Sequence, residues 1–300
     1  MNSMKRLFVT LFLALFVSTN LNMTADAGFF ANKKSEIIKN YQEKTAQRDI
    51  RKILNKQNKL ATKHDYNGLF ALYSKDFISS DGFTKDVYFA LIKDTWNSYT
   101  DISYTTEIKN ITVNENKAEA EVYETALATS TQIEEGIKLF GELHSYSNGT
   151  YYFTKNNGKW LVSGERVKNE KSYLKYGDTR FIDMDLTSPE TVKPGEYYTA
   201  SLKIDLPENA FAIASIGRDE IKYPQSQAPE AFRKLPDDHI LERMFYANKN
   251  GKNEYNIASI GITKSENITP NTVRVYIAGL AFIMTRVNLE NEVENAPKDK

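Results

Sequence analysis

The side chains that most often perform catalysis are scarce in this chain. It has no cysteine and only three histidines, His64, His144 and His239. The lack of cysteine excludes thiol nucleophiles, cysteine-bound zinc and iron–sulfur clusters. Three scattered histidines argue against a multi-histidine metal site. The sequence also lacks a glycine-rich phosphate loop, a His-Glu-x-x-His motif and a Gly-x-Ser-x-Gly motif. We therefore predict no metal and no cofactor, and no motif identifies a catalysed reaction.

Charge is balanced along the chain. Lysine and arginine together number 39, as do aspartate and glutamate. Without residues 1–27, which contain Lys5, Arg6 and Asp26, the net charge becomes −1. Binding to phosphate backbones requires concentrated Lys and Arg, so this balance argues against a nucleic acid as the partner.

The first 27 residues predict a signal peptide. Lys5 and Arg6 precede an apolar run at 7–17, which is too short to span a bilayer, and Ala25-Asp26-Ala27 fits the signal-peptidase pattern. We expect a mature chain beginning near Gly28, exported to the periplasm or secreted. It should not span the membrane after cleavage, because no other apolar run approaches 18 residues. An uncleaved N-terminal anchor is the alternative.

The first half of the chain changes from a helical period to a strand period. Apolar residues between Ser35 and Leu72 recur every three or four positions, and a second helical stripe follows Thr84, a favourable N-cap. After Asp101 the period becomes two. The predicted strands are 104–113, 118–130, 138–154 and 160–164, with a bulge at Asn148-Gly149 and a tight turn at 156–159.

Two segments of this half resemble the NTF2-like (SnoaL-like) superfamily. Lys63 to Phe77 contains the pattern D-x-x-x-L-x-x-L-Y-x-x-D-F, and Tyr151 to Val162 has a Trp after a Gly-containing turn, as in the family's closing hairpin. The resemblance covers about Ser35 to Glu170. It implies a cone of three helices packed on a curved antiparallel sheet, with Trp160 packed against a helix.

The second half has short alternating strands from Thr179 onward. We expect a polar linker at 169–177 and then seven strands forming a β-sandwich at 179–290. The turn Lys193-Pro194-Gly195-Glu196 before an alternating strand resembles bacterial immunoglobulin-like domains. The predicted fold class is thus α+β, with an NTF2-like domain at 35–170 followed by an all-β immunoglobulin-like sandwich. Residues 291–300 should form a disordered tail.

The resemblance to NTF2-like proteins implies a pocket between helices and sheet. An isomerase in such a pocket needs a carboxylate base and a hydrogen-bond donor for the developing enolate. Spacing pairs no base with a donor in this sequence, and each candidate also has a structural interpretation as core or surface. The candidate ligand-binding residues are Trp96, Tyr99, Glu121, Tyr123, His144 and Tyr152.

These observations favour an exported, non-enzymatic binding or accessory protein. Its expected partner is a small apolar ligand, a carbohydrate or another exported protein, and the NTF2-like sheet could form a homodimer. One alternative is an isomerase or cyclase that uses the cone pocket. Another is a structural subunit of an envelope assembly, which a large exposed apolar patch would favour.

Overall fold

The structure is a computed structural model, and it describes residues 27–134, 137–208, 210–225, 230–269 and 272–290. The predicted signal peptide, except for its last residue, and the predicted tail lie outside these ranges. The chain divides into two compact units, Met1–Thr45 and Ala46–Lys300. No helix in the described part of the chain is long and apolar enough to cross a membrane.

The described chain contains three α-helices and thirteen strands. The helices are Ala27–Thr62 (α1), Tyr66–Phe70 (α2) and Lys85–Ser98 (α3). The first five strands are Tyr73–Ser79 (β1), Ser103–Asn114 (β2), Lys117–Glu134 (β3), Ile137–Asn156 (β4) and Lys159–Gly177 (β5). A short 3₁₀ helix, Asp178–Phe181, follows, and then come Met184–Thr187 (β6), Thr191–Val192 (β7), Tyr197–Ile204 (β8), Ala210–Glu220 (β9), Arg233–Lys234 (β10), Ile240–Tyr246 (β11), Glu254–Thr269 (β12) and Thr272–Leu289 (β13).

The predicted fold class is wrong, because the protein is mostly β-structure. The strands of the first half do not form a separate sheet under a three-helix cone. They belong to one ten-stranded sheet in the order β10-β9-β12-β13-β5-β4-β3-β2, with β1 paired to β5 and β7 paired to β13. The segment after α2 is the strand β1, which runs parallel to β5. The helix α2 itself has only five residues.

The strand β5 joins the strands of the two halves into one sheet, which the sequence analysis did not expect. Residues 169–177, expected to be a linker, continue β5 and pair with β4 on one side and with β13 on the other. The composition there is polar because this part of the strand has few fully buried side chains; only Tyr176 is buried. A strand without an apolar face lacks the alternation that marks strands in sequence.

The second half does not form a separate immunoglobulin-like sandwich either. Only β11, β8 and β6 form a second, three-stranded sheet, whereas β9, β12 and β13 belong to the large sheet. A hydrophobic core lies between these two sets of strands and includes Leu202, Ile204, Ile260 and Ile283. Residues 272–289 form one long strand, β13, which pairs with β12 and β5. The domain bounds 35–170 and 179–290 stay a prediction.

The other core lies between the helices and the inner face of the first strands. On α1, Ile50, Leu54 and Gln57 are buried on one face. On α3, Phe89 and Trp96 are buried about two helical turns apart, on the same face. The prediction for Trp160 is confirmed, since it is only 6% exposed and belongs to this core.

The predicted hairpin features are confirmed as well. Asn157 and Gly158 have φ angles of 49° and 79°, the left-handed conformation that a two-residue hairpin turn requires. Strand β4 is a single strand whose register with β5 shifts at Asn148 and Gly149. The bulge prediction at that dipeptide is therefore correct.

Candidate functional site

A cavity of about 200 Å³ lies between α1, α3 and the inner face of β2 to β4. We call it the inner cavity. Its wall is mainly apolar and aromatic, with a few polar side chains at fixed positions. The lining residues used below are Gln57, Leu69, Tyr73, Tyr88, Ile92, Trp96, Tyr104, Glu124, Ala126 and Tyr151.

Strand alternation places a carboxyl group on this wall. Ala118, Ala120 and Val122 are buried on the inner face of β3, and Glu124 is the next residue with the same orientation. On the neighbouring strand β4, Tyr151 is paired with Ala120, and its hydroxyl reaches Glu124. Two ordinary strands thus bring an acid and a phenol together.

Glu124 is held by two hydroxyl groups. Tyr151 Oη donates to Glu124 Oε2 at 3.1 Å, and Gln57 Nε2 donates to Tyr151 Oη at 3.0 Å. The Thr106 hydroxyl lies 3.0 Å from Glu124 Oε1 and 2.8 Å from Asn58 Oδ1, but its single proton can serve only one of them. A protonated Glu124 resolves this conflict by donating to Thr106 Oγ1.

Burial also favours the protonated form of Glu124. It raises the pKa of this carboxyl, and the hydrogen bonds from Thr106 and Tyr151 only partly oppose the effect. Burial raises the pKa of Tyr151 as well, with repulsion by Glu124 adding to it. Burial thus favours the uncharged form of both groups.

Two buried polar atoms near this cavity, Gln57 Oε1 and His64 Nε2, have no hydrogen-bond partner among the described residues. The Trp96 ring stacks on His64 with centroids 4.8 Å apart. Burial raises the pKa of the Tyr104 phenol, and a hydrogen bond with Trp96 partly opposes this effect. Buried polar groups without partners are rare in folded proteins, so both atoms need an explanation.

A second cavity, of about 470 Å³, adjoins the first and shares Tyr88, Ile92 and Tyr104 with it. We call it the outer cavity. Three acidic residues, Asp81, Glu165 and Glu170, line it, together with Arg286 and Tyr255. Tyr255 Oη donates to Glu170 at 2.9 Å.

Tyrosines connect the acids of the two cavities. Tyr73 interacts with both Tyr151 and Tyr88, and Tyr88 interacts with Glu165. Burial raises the pKa of Glu165 to about 8, with repulsion from Glu124 and other nearby acids adding to it. The Oε2 atom of Glu165 is buried without a partner among the described residues.

Glu165 should make stability fall as pH rises. Between its usual pKa of 4.5 and its raised pKa of about 8, the native protein holds a proton that the unfolded chain has lost. The stabilisation is complete below about 4.5 and is lost as pH rises through about 8. We expect urea-unfolding midpoints to decrease across this interval and to vary less with pH in Glu165→Gln. Glu121→Gln, at an exposed position on the same sheet, should keep the wild-type slope; an unchanged slope in Glu165→Gln would contradict the assignment.

The structure brings one predicted site residue to the inner cavity. Trp96 lines it, whereas Tyr99 is half-buried at the end of α3 and packs against the core under the helices. Glu121 is exposed. Neither Tyr99 nor Glu121 lines a described cavity.

The remaining predicted residues lie on the other face of the sheet or outside the cavities. Tyr123 stacks with Tyr146, at a centroid distance of 6.4 Å. His144 lines a separate cavity of about 300 Å³ and lies 3.8 Å from Glu142. Tyr152 is half-buried and follows Tyr151, so it faces the opposite side of β4. The six predicted residues therefore do not form one site.

The sequence analysis did not identify Glu124, Tyr151 and Gln57, whose side chains are hydrogen-bonded to one another at the inner cavity. Glu124 could have been found by extending the apolar alternation of β3 by one step, which places a carboxyl on a buried face. The same alternation on β4 selects Tyr151, next to the buried Phe153, rather than Tyr152. Gln57 had a visible signal too, because it lies on the buried stripe of α1.

The polar groups of the inner cavity are of the kinds that bind a ligand and exchange protons with it. Among the described residues, no group of three or more His, Asp or Glu side chains is placed to hold a metal ion. The polar groups of the inner cavity are a carboxyl, phenols, two amides, four hydroxyls of Ser and Thr, and an indole. They can exchange hydrogen bonds with an organic molecule, and Glu124 can carry or release a proton.

No family model matches the sequence, and none of the curated proteins matches it. Solved structures match parts of it. Bd1075 from Bdellovibrio bacteriovorus is 11% identical over 40% of this chain, with a TM-score of 0.30, and the match spans only 39% of that protein.

Two further matches cover more of the matched protein. A putative scytalone dehydratase from Novosphingobium aromaticivorans is 20% identical over 41% of this chain and 83% of its own, with a TM-score of 0.33. A putative dehydratase of the NTF2-like family from Streptomyces avermitilis is 9% identical over 42% and 96%, with a TM-score of 0.32. The last description names the family that the motifs resemble, and none of the three names an immunoglobulin-like domain. Similarity at this level assigns neither a family nor an activity to this chain.

Proposed function

We propose that this protein is an exported binding protein whose inner cavity holds a small organic molecule. Export is supported by the apolar run at 7–17 and by Ala25-Asp26-Ala27. Binding is supported by one observation above the others. The hydrogen-bonded side chains of Gln57, Tyr151 and Glu124 line a cavity whose wall is otherwise mainly apolar. A concave apolar site with a few fixed polar groups is the usual form of a small-molecule binding site.

The cavity has a suitable size for one small ring. A dry protein cavity of about 150 Å³ holds benzene, and the inner cavity measures about 200 Å³. Its aromatic and aliphatic walls provide the apolar contact, while Gln57, Tyr151 and Glu124 provide polar groups that orient a ligand.

Tryptophan fluorescence can test occupancy, because the chain has only two tryptophans. In a Trp160→Phe background, the remaining Trp96 lines the cavity. We expect phenol, excited where it does not absorb, to change the emission of Trp96 along a saturable curve. The matched control is Trp96→Phe, whose remaining Trp160 lines none of the described cavities. An equal response from both variants, or a change that never saturates, would refute binding in this cavity.

An acid–base enzyme in the same cavity is the second candidate. The contact between Glu124 and Tyr151 favours it, since a carboxyl that can release a proton and a phenol that can donate a hydrogen bond lie side by side. Conversion of the bound molecule, as opposed to its simple retention, separates this candidate from the first.

A further inference from the structure

We infer that the inner and outer cavities together hold one elongated ligand, an apolar ring that carries an extended aliphatic chain, with the ring in the inner cavity and the chain in the outer cavity. This inference rests on the proposed function and specifies the shape and class of its ligand.

The two cavities meet between α3 and the sheet. Six residues line both of them. On the helix side these are Tyr88 and Ile92, and on the sheet side they are Tyr104, Ala126, Ser145 and Ser147. Three of the four side chains on the sheet side are small. Large side chains of α3 therefore face small ones on β3 and β4, which leaves space for a ligand to pass from one cavity into the other.

The sheet side of this space follows one row of paired residues. Ala126 on β3 is paired with Ser145 on β4, which is paired with Ser172 on β5. Ser172 is paired in turn with Met284 on β13. Directly paired residues of antiparallel strands share one face of the sheet. At a strand spacing of about 4.8 Å, the row from β3 to β13 is about 14 Å long, which suits a ligand longer than a single ring.

The two serines in the middle of the row are hydrogen-bonded to each other. Ser172 Oγ donates to Ser145 Oγ at 2.8 Å. Part of the hydrogen-bonding capacity of this surface is thus already used within the protein. An aliphatic chain can lie over the pair without breaking that bond.

The outer cavity offers mainly apolar contact to such a chain. Aliphatic side chains and a methionine from α3, the sheet and the loops line it, namely Leu91, Ile102, Leu143, Val167, Ile221 and Met284. Contact with these side chains removes methylene groups of the ligand from water, which favours binding in proportion to the apolar area buried.

The cations that line the outer cavity already have partners. They are Arg286 and Lys222. Arg286 Nη1 lies 3.0 Å from Asp81 Oδ2. Lys222 Nζ lies 3.4 Å from Asp219 Oδ1. A carboxylate on the ligand would have to compete with these side chains, so the chain should carry no acid group.

Calorimetric titration with phenol, 4-propylphenol and 4-hexylphenol tests the inference. The three probes share one ring and differ only in chain length. We expect the affinity to rise along this series and 4-hexylphenol to bind about tenfold or more tightly than phenol, because each methylene group buried raises the affinity by up to about fourfold.

Two variants test whether the chain lies between α3 and the sheet. Ala126→Leu narrows the space from the sheet side and Ile92→Phe narrows it from the helix side. In either folded variant, the preference for 4-hexylphenol over phenol should shrink to about fourfold or less, the contribution of about one methylene group. Ser163→Leu is the matched control on β5. It lines none of the described cavities and should keep the full preference.

The outcomes separate this inference from the proposed function. If none of the three phenols binds, both fail. If phenol binds as tightly as 4-hexylphenol, the inner cavity holds a small molecule but the inference about the chain is wrong. If the preference for 4-hexylphenol survives in both narrowed variants, the chain lies elsewhere and the inference is equally wrong.

Discussion

Replacing Arg286 by methionine is expected to destabilise the protein by about 3–5 kcal/mol, the usual effect of removing one member of a buried ion pair. The Arg286 side chain is 1% exposed, and its two terminal nitrogens lie 3.0 and 2.5 Å from the oxygens of Asp81. Asn253 also donates to Asp81, and Arg286 Nε donates to Asn288. Without the guanidinium, Asp81 remains as a charge that is mostly removed from water.

Two further variants test this explanation by urea unfolding. The double variant Asp81→Leu, Arg286→Met should recover part of the loss, because it leaves no uncompensated charge. Arg166→Met is the matched control, since Arg166 pairs with Glu290 at the surface and its side chain is 54% exposed. It should change stability by less than about 1 kcal/mol. Equal losses in Arg286→Met and Arg166→Met would contradict the role of burial.

Replacing Trp160 by alanine should destabilise the protein by about 3–5 kcal/mol, as expected for a large buried aromatic residue. Trp160 lies in the core under the helices, and Lys155 Nζ lies 5.6 Å from the centre of its ring. Because Trp160 does not line the described cavities, the variant should bind phenol with unchanged affinity at temperatures where it is folded.

Thermal unfolding of Trp160→Ala, with Trp160→Phe beside it, provides the measurement. Phenylalanine retains much of the buried surface, so its melting temperature should fall less than that of the alanine variant. A melting temperature within a degree or two of wild type for Trp160→Ala would contradict its structural role. Loss of phenol binding by the folded variant would instead indicate a ligand contact.

Local features of this fold were predictable because they depend on neighbouring residues. The turn at Asn157-Gly158 needs a left-handed backbone, which Asn and Gly favour. The burial of Trp160 and Val162 follows from period-two alternation once the turn is known. These features require no knowledge of distant parts of the chain.

The parts that were not predictable depend on distant contacts. Arg286 and Asp81 are 205 positions apart, and nothing near either residue in sequence indicates the pair. The pairing of β5 with β13 is equally remote, and β5 has no apolar face at that point. The candidate site residues differ from the residues that line the inner cavity for another reason. A pocket was predicted, but Glu121 and Tyr152 lie on the face of their strands that points away from it. Glu124 and Tyr151 lie on the face that lines it.

The strand β5 has a consequence for how the protein folds. Its first part contributes Trp160 and Val162 to one core, and its last part is hydrogen-bonded to β13, which contributes Ile283 to the other core. If the strands of one core separated, backbone groups of the other core would lose hydrogen-bond partners. The two cores should therefore unfold cooperatively in a single transition. The β5–β13 ladder joins residues more than 100 positions apart, so loop-closure entropy opposes its early formation. During synthesis, β5 is complete long before β13 exists, and until then its open edge is exposed to pairing with other chains.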